Sequence, residues 1–469
     1  MKKTKIVATL GPASANEKTL KAMILAGVNV VRLNLSHSGI EDLEKLINLA
    51  KNVRSDLKKD VAIMIDTRGP EIRTGAFENA VNLKKGQVFT FFKEDVLGNV
   101  HGCTIKQKSI FNDLKVGAKF SACNGLIKFK CIDKTQKGNL VCKVLSSGTI
   151  SSNKSMSFPN LKLNVEYLNE HDKSCIEFGV KRGVDYIACS FVSDKNDILQ
   201  ISKIVNSLNA TTKLIAKIEN KLGITNLNEI LENCDGVMVA RGDLGIEIPQ
   251  EKVPSIQKEM IHKCKETGKI VIIATEMLES MTTSIRPTRA ETSDVANAIY
   301  DGASAVMLSG ETAVGKFPVN VVETMSKIAL ETEKSINYQS RFEKSNFKAN
   351  NIQDVMSMAC VQSSFLLKGV KAIVVYTDSG HTAHFISRFR PSVPIVALTP
   401  SEQTFNQLAL EWGVMPVLIK GIGRADDLID IVNSVVKQYK LAKEEDIILI
   451  GSGSRKPTKT DMMKFHIVV

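Results

Sequence analysis

The chain of 469 residues is too long for one compact core, and 43% hydrophobic residues indicate a folded protein. No apolar run reaches the ~18 residues of a membrane span, and the opening MKKTKIVATL lacks the apolar segment of a secretory signal. The net charge of +12 is dispersed and aromatic residues make up only 5%, which favours a solvated surface over nucleic-acid binding, and a basic balance also suits small anionic substrates such as phosphates. The nine cysteines form no C-x-x-C pair, so we expect a cytoplasmic protein without a zinc ribbon.

Eight short apolar segments alternate with amphipathic, helix-like segments in the first two thirds of the chain. In chain order they are KIVATL (5–10), VNVVRLN (28–34), VAIMID (61–66), VDYIACSF (184–191), KLIAKIE (213–219), DGVMVA (235–240), KIVIIAT (269–275) and SAVMLS (304–309). Near-continuous Val, Ile and Ala runs separated by helices, such as those expected at 18–25 and 197–208, indicate buried parallel strands. Eight such units in succession predict a (β/α)₈ TIM barrel.

Two regions interrupt or follow this pattern. The long interval after the third segment contains turn-punctuated strand patterns such as GLIKFKCID, which predict a small inserted β-barrel lid domain at 70–165. The barrel would then comprise 1–69 and 166–345. From 346 to 469 the segments KAIVVYT, VPIVALT, VMPVLI and DIILIGS restore the α/β alternation and predict a doubly wound C-terminal domain.

Charged residues follow the fifth and sixth strands of the predicted barrel. The sixth runs into the segment RGDLG (241–245), which places Asp243 between two glycines that leave room for a ligand. Glu219 ends the fifth strand, and Lys217 lies two residues earlier on the same strand face. Because strand ends meet at the mouth of a barrel, the two carboxylates predict a Mg²⁺ site with an ammonium beside it. The pattern K-x-E formed by Lys217 and Glu219 is, taken alone, more typical of a half-exposed strand face. Its position on the strand before RGDLG favours the Mg²⁺ site.

Polar residues also follow other strands. They are Arg32, Asn34, Ser36 and His37 after the second, Asp66, Thr67, Glu71 and Arg73 after the third, and Thr275 after the seventh. Arginines bind phosphate through two parallel hydrogen bonds, which predicts a phosphorylated substrate. The hydroxyl, amide and carboxylate oxygens suit a weakly hydrated monovalent cation. Capping of the next helix would equally explain the hydroxyls after strand two, and a β-branched residue at a strand end would explain Thr275.

The segment RPTRAETSDVANA has a structural explanation. Thr288 and Glu291 have the spacing of a capping box, so the segment predicts the start of a helix.

Together these segments resemble the pyruvate kinase family, from about residue 4 to the C-terminus. The matching segments are KIVATLGPAS, VVRLNLSHSG, IDTRGPEIRTG, AKIEN, GVMVARGDLGIEIP, RPTRAETSDVANA and DGASAVMLSGETAVGKFP. The resemblance implies transfer of the phosphoryl group of phosphoenolpyruvate to ADP, giving pyruvate and ATP. It also implies a homotetramer that needs Mg²⁺ (or Mn²⁺) and K⁺.

The resemblance also implies roles for individual residues. Arg32 and Arg73 would hold the transferred phosphoryl group, and Lys217 would neutralise it in flight. Gly242, Asp243 and Thr275 would orient the pyruvyl end. The remaining residues implied at the site are Glu219 and Asp243 for Mg²⁺, Asn34, Ser36, Asp66 and Thr67 for K⁺, and Asn34, His37, Arg73 and Lys154 for the nucleotide.

Glu71 bears on the monovalent cation. Members of the family with Glu at this position generally need K⁺, whereas those with Lys supply their own positive charge. The resemblance therefore implies K⁺ dependence.

The sequence departs from the family around the lid. Cys123-Asn124-Gly125 replaces the usual Asp-Asp-Gly, and Phe158-Pro159-Asn160 replaces Leu-Pro-Gly. Ser193-Asp194 replaces Arg-Lys, and Glu276 replaces a common Gln. These changes bear on nucleotide affinity and lid closure.

The C-terminal domain resembles the effector module of the family. Thr377, Ser379, Gly380 and Thr382 lie in a predicted strand-to-helix turn, which can bind phosphate through backbone N–H groups. Asp378 opposes an anion there, and a plain hydroxyl-capped turn explains the pattern equally. A sugar phosphate is therefore a candidate effector, and the segment GSGSRKPTKT could close over it.

Two other functions fit parts of the pattern. An aldolase or lyase on the same barrel could also use two carboxylates and Mg²⁺ to hold an enolate. A catalytically degenerate sensor or RNA-binding scaffold would explain the +12 charge and the lid substitutions. The paired arginines and the insertion favour the kinase over the lyase, and intact Lys217, Glu219 and Asp243 argue against the scaffold.

Overall fold

A computed structural model describes residues 1–469 except 37–38, 160, 162, 346, 348, 350, 422–424 and 453–460, and it does not describe the side chains of 425–427. The first part of the barrel consists of β1 (Lys5–Thr9), α1 (Glu17–Ala26), β2 (Val30–Asn34), α2 (Ile40–Leu57) and β3 (Ala62–Asp66). Asn16 caps α1 by accepting a hydrogen bond from the Thr19 N–H.

The inserted domain is a mostly antiparallel β structure with an aromatic core, and its strands β6 and β7 pair in parallel. Its elements are β4 (Ile72–Arg73), β5 (Val81–Leu83), β6 (Val88–Phe92), β7 (Gly102–Thr104), α3 (Ile110–Asp113), β8 (Lys119–Ala122), β9 (Ile127–Lys134), β10 (Leu140–Val144), β11 (Gly148–Ile150) and β12 (Ser155–Ser157). Seven strands form one sheet in the order β4-β12-β8-β9-β10-β6-β7, and β5 pairs with β11. A bridge between Thr74 and Ile105 links the two ends of the seven-stranded sheet. Phe89, Phe91 and Phe129 pack edge to face inside it.

The second part of the barrel completes the eight strands. Its elements are α4 (Glu170–Lys181), β13 (Tyr186–Cys189), α5 (Lys195–Ser207), β14 (Lys213–Ile218), α6 (Lys221–Thr225), α7 (Leu227–Glu232), β15 (Gly236–Ala240), α8 (Arg241–Glu247), α9 (Val253–Thr267), β16 (Ile270–Ala274), α10 (Arg289–Asp301), β17 (Ala305–Leu308), α11 (Gly310–Ala313) and α12 (Pro318–Lys334). The sheet closes in the order β1-β2-β3-β13-β14-β15-β16-β17 with parallel pairing throughout. The predicted TIM barrel is confirmed, and Thr288 and Glu291 form the expected capping box of α10.

The C-terminal region adds a five-stranded sheet. Its elements are α13 (Tyr338–Glu343), α14 (Ile352–Leu366), β18 (Val370–Tyr376), α15 (His381–Arg388), β19 (Ile395–Thr399), α16 (Glu402–Gln407), β20 (Val414–Leu418), α17 (Ala425–Gln438), β21 (Ile447–Ser452) and β22 (Met462–Ile467). The order is β20-β19-β18-β21-β22, and apolar clusters cover both faces. The predicted α/β domain is confirmed, but the antiparallel edge strand β22 was not predicted.

The C-terminal domain contacts the end of the barrel where the strands begin. The hydroxyl of Tyr186, at the start of β13, donates to the Gln407 carbonyl at 2.7 Å. Lys5, at the start of β1, donates to the Val414 carbonyl at 2.7 Å. The opposite end of the barrel, where the strands finish, therefore faces away from this domain. None of the helices in the described parts of the chain is long and apolar enough to cross a lipid bilayer.

Candidate active site

Lys217 is the centre of a buried polar cluster at the mouth of the barrel. Its Nζ lies 2.6 Å from Ser190 Oγ, 2.9 Å from Glu219 Oε1 and 3.1 Å from Asp66 Oδ1. An ammonium has three donors, and these three acceptors match them in number. Burial alone would lower the pKa of Lys217, but Asp66 and Glu219 outweigh it and raise the pKa, so the side chain stays charged.

Asp66 connects Lys217 to Arg32. The Asp66 carboxylate accepts from Arg32 Nε at 2.6 Å through Oδ2, and Ser190 Oγ lies 3.1 Å from its Oδ1. Arg32 also donates to the Thr9 hydroxyl at 2.9 Å. Burial opposes ionisation of Asp66, yet Arg32 and Lys217 lower its pKa below the usual value. The paired residues hold both cations in fixed positions, which is what binding of a phosphoryl group requires.

Glu219 and Asp243 form a pair of interacting carboxylates beside Lys217. Burial raises the pKa of Glu219 to about 7, with Lys217 opposing and Asp243 adding to the shift. Burial likewise raises the pKa of Asp243, and Lys217 opposes this. Two neighbouring carboxylates that are withdrawn from water destabilise each other when both are ionised. A bound cation would offset this repulsion.

The donor set fits a divalent cation that is shared with a substrate. Asp243 lies in the first turn of α8, immediately after β15, and Glu219 follows β14, as the sequence predicted. Among the described residues, no group of three or more His, Cys, Asp or Glu side chains is arranged to hold a metal. Two carboxylates leave most positions of an octahedral ion open to substrate oxygens and water, which is the usual arrangement for Mg²⁺ with phosphorylated ligands.

Thr275 follows β16 and contacts Gly242 in a strained backbone conformation. Its φ is +65°, which is rare for a β-branched residue, and Glu276 follows at +55°. The Thr275 hydroxyl accepts from the Gly242 N–H at 2.8 Å. Arg241 donates to the Thr275 carbonyl at 2.6 Å and pairs with Asp294 at 2.6 Å. These bonds hold the strained turn, and no sequence motif indicated this role for Arg241 or Asp294.

The residues expected to bind K⁺ lie at the adjacent ends of β2 and β3. Asn34 is opposite Asp66 in the strand register, and its side-chain oxygen accepts from the Ser36 N–H at 3.0 Å. The Thr67 hydroxyl accepts from the Ser190 N–H at 3.0 Å. All four side chains present oxygen atoms, which suits a monovalent cation.

Arg73 and Lys154 lie together on the inserted domain. Arg73 ends β4 and Lys154 immediately precedes the adjacent strand β12, and the Thr74 N–H donates to the Lys154 carbonyl at 2.9 Å. Arg73 forms an ion pair with Glu71 at 2.7 Å and donates to the Asn153 carbonyl at 2.8 Å. His37, the other expected nucleotide contact, lies outside the described residues.

A cavity of about 420 Å³ lies between the barrel and the inserted domain. Glu219 and Asp243 line it from the barrel side, and Asn124 and Gly125 line it from the insert. Its described lining does not include Arg32, Lys217, Arg73 or Lys154. A hydrogen bond from Ser157 to Glu247 crosses from one domain to the other beside this cavity. The inserted domain therefore covers the mouth of the barrel.

The unusual residues of the sequence have structural roles here. Cys123, Asn124 and Gly125 all have positive φ, so they form one tight turn facing the cavity. Asp194 caps α5 through the Asn196 N–H at 2.8 Å, and the helix begins with a complete capping box. Asp194 therefore contributes a helix cap at this position. Asn160, which replaces the usual glycine, lies outside the described residues.

The expected effector residues occupy the turn between β18 and α15. Gly380 has φ +82° and immediately precedes α15, while Thr377 and Thr382 are buried. The Thr404 hydroxyl donates to the Asp378 carbonyl at 2.7 Å, which anchors the turn. Residues 453–460 of the segment GSGSRKPTKT lie outside the described part of the chain.

Comparison with known proteins identifies the family. The model of the pyruvate kinase barrel domain matches residues 1–322, and that of the pyruvate kinase alpha/beta domain matches residues 354–466. The pyruvate kinase of Clostridium acetobutylicum is 40% identical over the full length of both chains. That of Geobacillus stearothermophilus is 41% identical and spans all of this chain, which covers 80% of the relative.

A solved structure is similar over the whole chain. The crystal structure of a pyruvate kinase from Cryptosporidium parvum aligns with a TM-score of 0.94 and 34% identity, covering 100% of this chain and 96% of that one. These findings support the kinase prediction and support neither the lyase nor the scaffold. The chain belongs to the pyruvate kinase family.

Proposed function

We propose that the mouth of the barrel, beneath the inserted domain, is where this chain transfers the phosphoryl group of phosphoenolpyruvate to ADP. One observation carries the assignment to these residues. Lys217 is buried, charged and held by Asp66, Ser190 and Glu219 within 3.1 Å, and Asp66 holds Arg32 in turn. Phosphoryl transfer depends mainly on positioned positive charge, which this cluster supplies.

The roles of the individual side chains follow from their positions. Arg32 presents its guanidinium to the phosphoryl group while Asp66 and Thr9 fix its orientation. The Lys217 ammonium neutralises charge on the transferred group and on the oxygen that it leaves. The strained turn at Thr275 and the backbone of Gly242 orient the pyruvyl end of the substrate.

Glu219 and Asp243 would hold the divalent cation, Mg²⁺ or Mn²⁺. When bound, this ion supplies positive charge that draws substrate oxygens together and stabilises the transition state. The burial of both carboxylates and their mutual repulsion support the assignment.

We place the nucleotide between the barrel and the inserted domain. Arg73 ends β4 of the insert and Lys154 immediately precedes the neighbouring strand β12, so both charges come from the same covering domain. Asn34 and His37 are the expected contacts on the barrel side. The inserted domain would exclude water from the reaction while it holds ADP.

Substitution of Lys217 tests the assignment. Lys217→Met should lower kcat in a coupled pyruvate assay by about 10²–10³-fold or more, because it removes the charge that stabilises the transition state. Lys213→Met is a matched control, since Lys213 begins the same strand at the far end of the barrel and lies 3.7 Å from Glu411. A Lys217→Met enzyme with wild-type kcat would overturn the assignment.

We further propose that the enzyme depends on K⁺, bound by Asn34, Ser36, Asp66 and Thr67. Activity should collapse when K⁺ is replaced by tetramethylammonium at equal ionic strength. Glu71→Lys should reduce the dependence, because it puts an ammonium where the carboxylate now pairs with Arg73. Full turnover without K⁺ would refute the proposal.

We also propose that the turn at Thr377, Ser379, Gly380 and Thr382 binds a sugar phosphate, and that the enzyme is a cytoplasmic homotetramer. The left-handed Gly380 at the start of α15 leaves backbone N–H groups for a phosphate. The nine unpaired, buried cysteines fit a reducing compartment. Activation assays with fructose 1,6-bisphosphate and ribose 5-phosphate test the turn, and sedimentation velocity tests the tetramer. Absence of activation by both sugar phosphates, or a monomer, would contradict the corresponding proposal.

A further inference from the structure

A second large cavity, of about 460 Å³, lies far from the catalytic cluster, between the barrel and the C-terminal domain. We call it the junction cavity. Its lining comprises Lys258, His262, Lys265, Glu266, Ile299, Tyr300, Asp301, Gly302, Ile336, Tyr338, Arg341, Phe342, Lys344, Ser345, Phe347, Phe389, Arg390 and Trp412. Helices α9, α10 and α13 contribute one side, and residues after α15 contribute the other. Its volume is within the usual range for small-molecule sites.

The junction cavity is strongly cationic. Five lysine and arginine side chains line it against two carboxylates. Both carboxylates already have partners, because Asp301 pairs with Lys258 and Glu266 lies 3.4 Å from His262. Among the described residues, the other four cations have no ion pair; they are Lys265, Arg341, Lys344 and Arg390. The cavity therefore has excess positive charge that an anion would balance.

Several buried polar atoms in the cavity lack hydrogen bonds. Tyr338 is 8% exposed and its hydroxyl has no partner among the described residues, and the same is true of Arg390 Nε and Nη1. Only Nη2 of Arg390 is engaged, with the Gly302 carbonyl at 3.1 Å and Ser304 Oγ at 3.0 Å. Such atoms are costly to leave unpaired, so they indicate that a ligand supplies the missing acceptors.

The arginine is also held in an unusual conformation. Arg390 has a left-handed backbone with φ +53°. Its guanidinium lies 4.5 Å from the Trp412 ring. Burial lowers its pKa to about 10, and burial also lowers the pKa of Lys265 to about 8. A bound anion would reverse both shifts, since it stabilises the charged forms.

Aromatic rings make up the apolar part of the lining. Tyr338 and Trp412 lie 5.8 Å apart, and Phe342, Phe347 and Phe389 pack together beside them. Flat rings next to arginine suit a planar group through stacking and cation–π contacts. The anion and the planar group would then belong to one ligand, because both kinds of residue line the same cavity.

We propose that the junction cavity binds an organic phosphate that carries a planar ring, of the size of a nucleoside monophosphate. The phosphate contacts Arg341, Lys344 and Arg390, and the ring lies among the aromatic side chains. The ligand bridges the barrel and the C-terminal domain, so it would couple their relative positions. This site is separate from the catalytic cluster and from the turn at Gly380.

The single tryptophan of the chain, Trp412, lines the cavity and provides a direct readout. Titration with adenosine monophosphate should give a saturable change in its fluorescence, matched by calorimetry. Adenosine and inorganic phosphate, each lacking half of the ligand, should bind about tenfold more weakly or worse. Saturating phosphoenolpyruvate, which carries no ring, should not compete.

Substitutions locate the binding. Arg341→Gln with Lys344→Gln should weaken binding of adenosine monophosphate by about tenfold or more, because charge-assisted bonds to the phosphate are lost. Lys327→Gln, which removes an exposed lysine of α12 outside the cavity, should leave it unchanged. Equal melting temperatures establish that the variants fold. The proposal is overturned by absence of binding, by competition from phosphoenolpyruvate, or by unchanged affinity in the double variant.

Discussion

Ser190 offers a sharp test of how the catalytic lysine is positioned. Its hydroxyl oxygen is 2.6 Å from Lys217 Nζ, and the residue is 1% exposed. It also donates to the Thr67 carbonyl at 2.6 Å. We predict that Ser190→Ala lowers kcat, because one N–H of the buried ammonium loses its acceptor and the remaining attractions pull the ammonium toward Asp66 and Glu219.

The magnitude follows from the type of bond. A hydrogen bond to a charged group contributes about 1.5–3 kcal/mol. Since each 1.36 kcal/mol corresponds to a tenfold change in rate, kcat should fall about 10–150-fold. The effect should be mainly on kcat, because Lys217 acts on charge that develops in the transition state. KM for phosphoenolpyruvate should change much less.

A coupled pyruvate assay at saturating substrates measures this change. Ser326→Ala is the matched control, since Ser326 is also buried and its hydroxyl donates to the Ala26 carbonyl at 2.7 Å, outside the barrel mouth. Ser190→Ala loses the bonds to Lys217 and the Thr67 carbonyl, and Ser326→Ala loses the bond to the Ala26 carbonyl, so both melting temperatures should fall while only Ser190→Ala loses turnover. A kcat within twofold of the parent, or an equal loss in the control, would refute the reasoning.

Two predictions concern stability. Arg54→Met leaves Asp185, 2.9 Å away and buried, without its ion pair, and should lower the free energy of unfolding by about 3–5 kcal/mol at pH 8 in urea titrations. Burial raises the pKa of Asp185 to about 6, so the loss should shrink at pH 5, where the acid is protonated; an equal loss at both pH values would contradict this. Glu411 is the opposite case: burial opposes its ionisation, but His384 and other cations lower its pKa from 4.5 to about 2. Its stabilisation, about 3 kcal/mol, is present above pH 4.5 and lost as pH falls toward 2, and Glu411→Gln should remove this dependence in acid titrations; an unaltered acid limb would rule it out.

The barrel and the C-terminal sheet could be predicted because their strands are buried on both faces. In an α/β protein, a continuous apolar run such as Ile270–Ala274 fits only a strand of the parallel sheet that is covered on both faces. The edge strand Met462–Ile467 was not predicted, because it is not buried on both faces. Its side chains are mostly exposed, so burial imposes no apolar pattern on it, and only its pairing with β21 makes it a strand.

The positions of the proposed catalytic residues could be predicted only where they lie at the end of a strand with a distinctive pattern. Lys217 and Glu219 meet because they are two residues apart on one strand. Ser190 could not be found in this way, since its contacts join β3, β13 and β14, and strand register is not visible in the sequence. Arg241 was missed because its function is to hold the Thr275 carbonyl, a backbone atom that no sequence motif specifies.

Asp66 shows why a residue's role depends on all of its neighbours. The resemblance assigned it to K⁺ because it is an oxygen donor at a strand end. Both of its carboxylate oxygens are already engaged, one by Arg32 and the other by Lys217. A monovalent cation at the same carboxylate would compete with Arg32 and Lys217 for the same two carboxylate oxygens. With K⁺ bound as proposed, Asp66 would couple its binding to the positions of Arg32 and Lys217, and a change in the cation site should reach the proposed phosphoryl-binding residues through this one side chain.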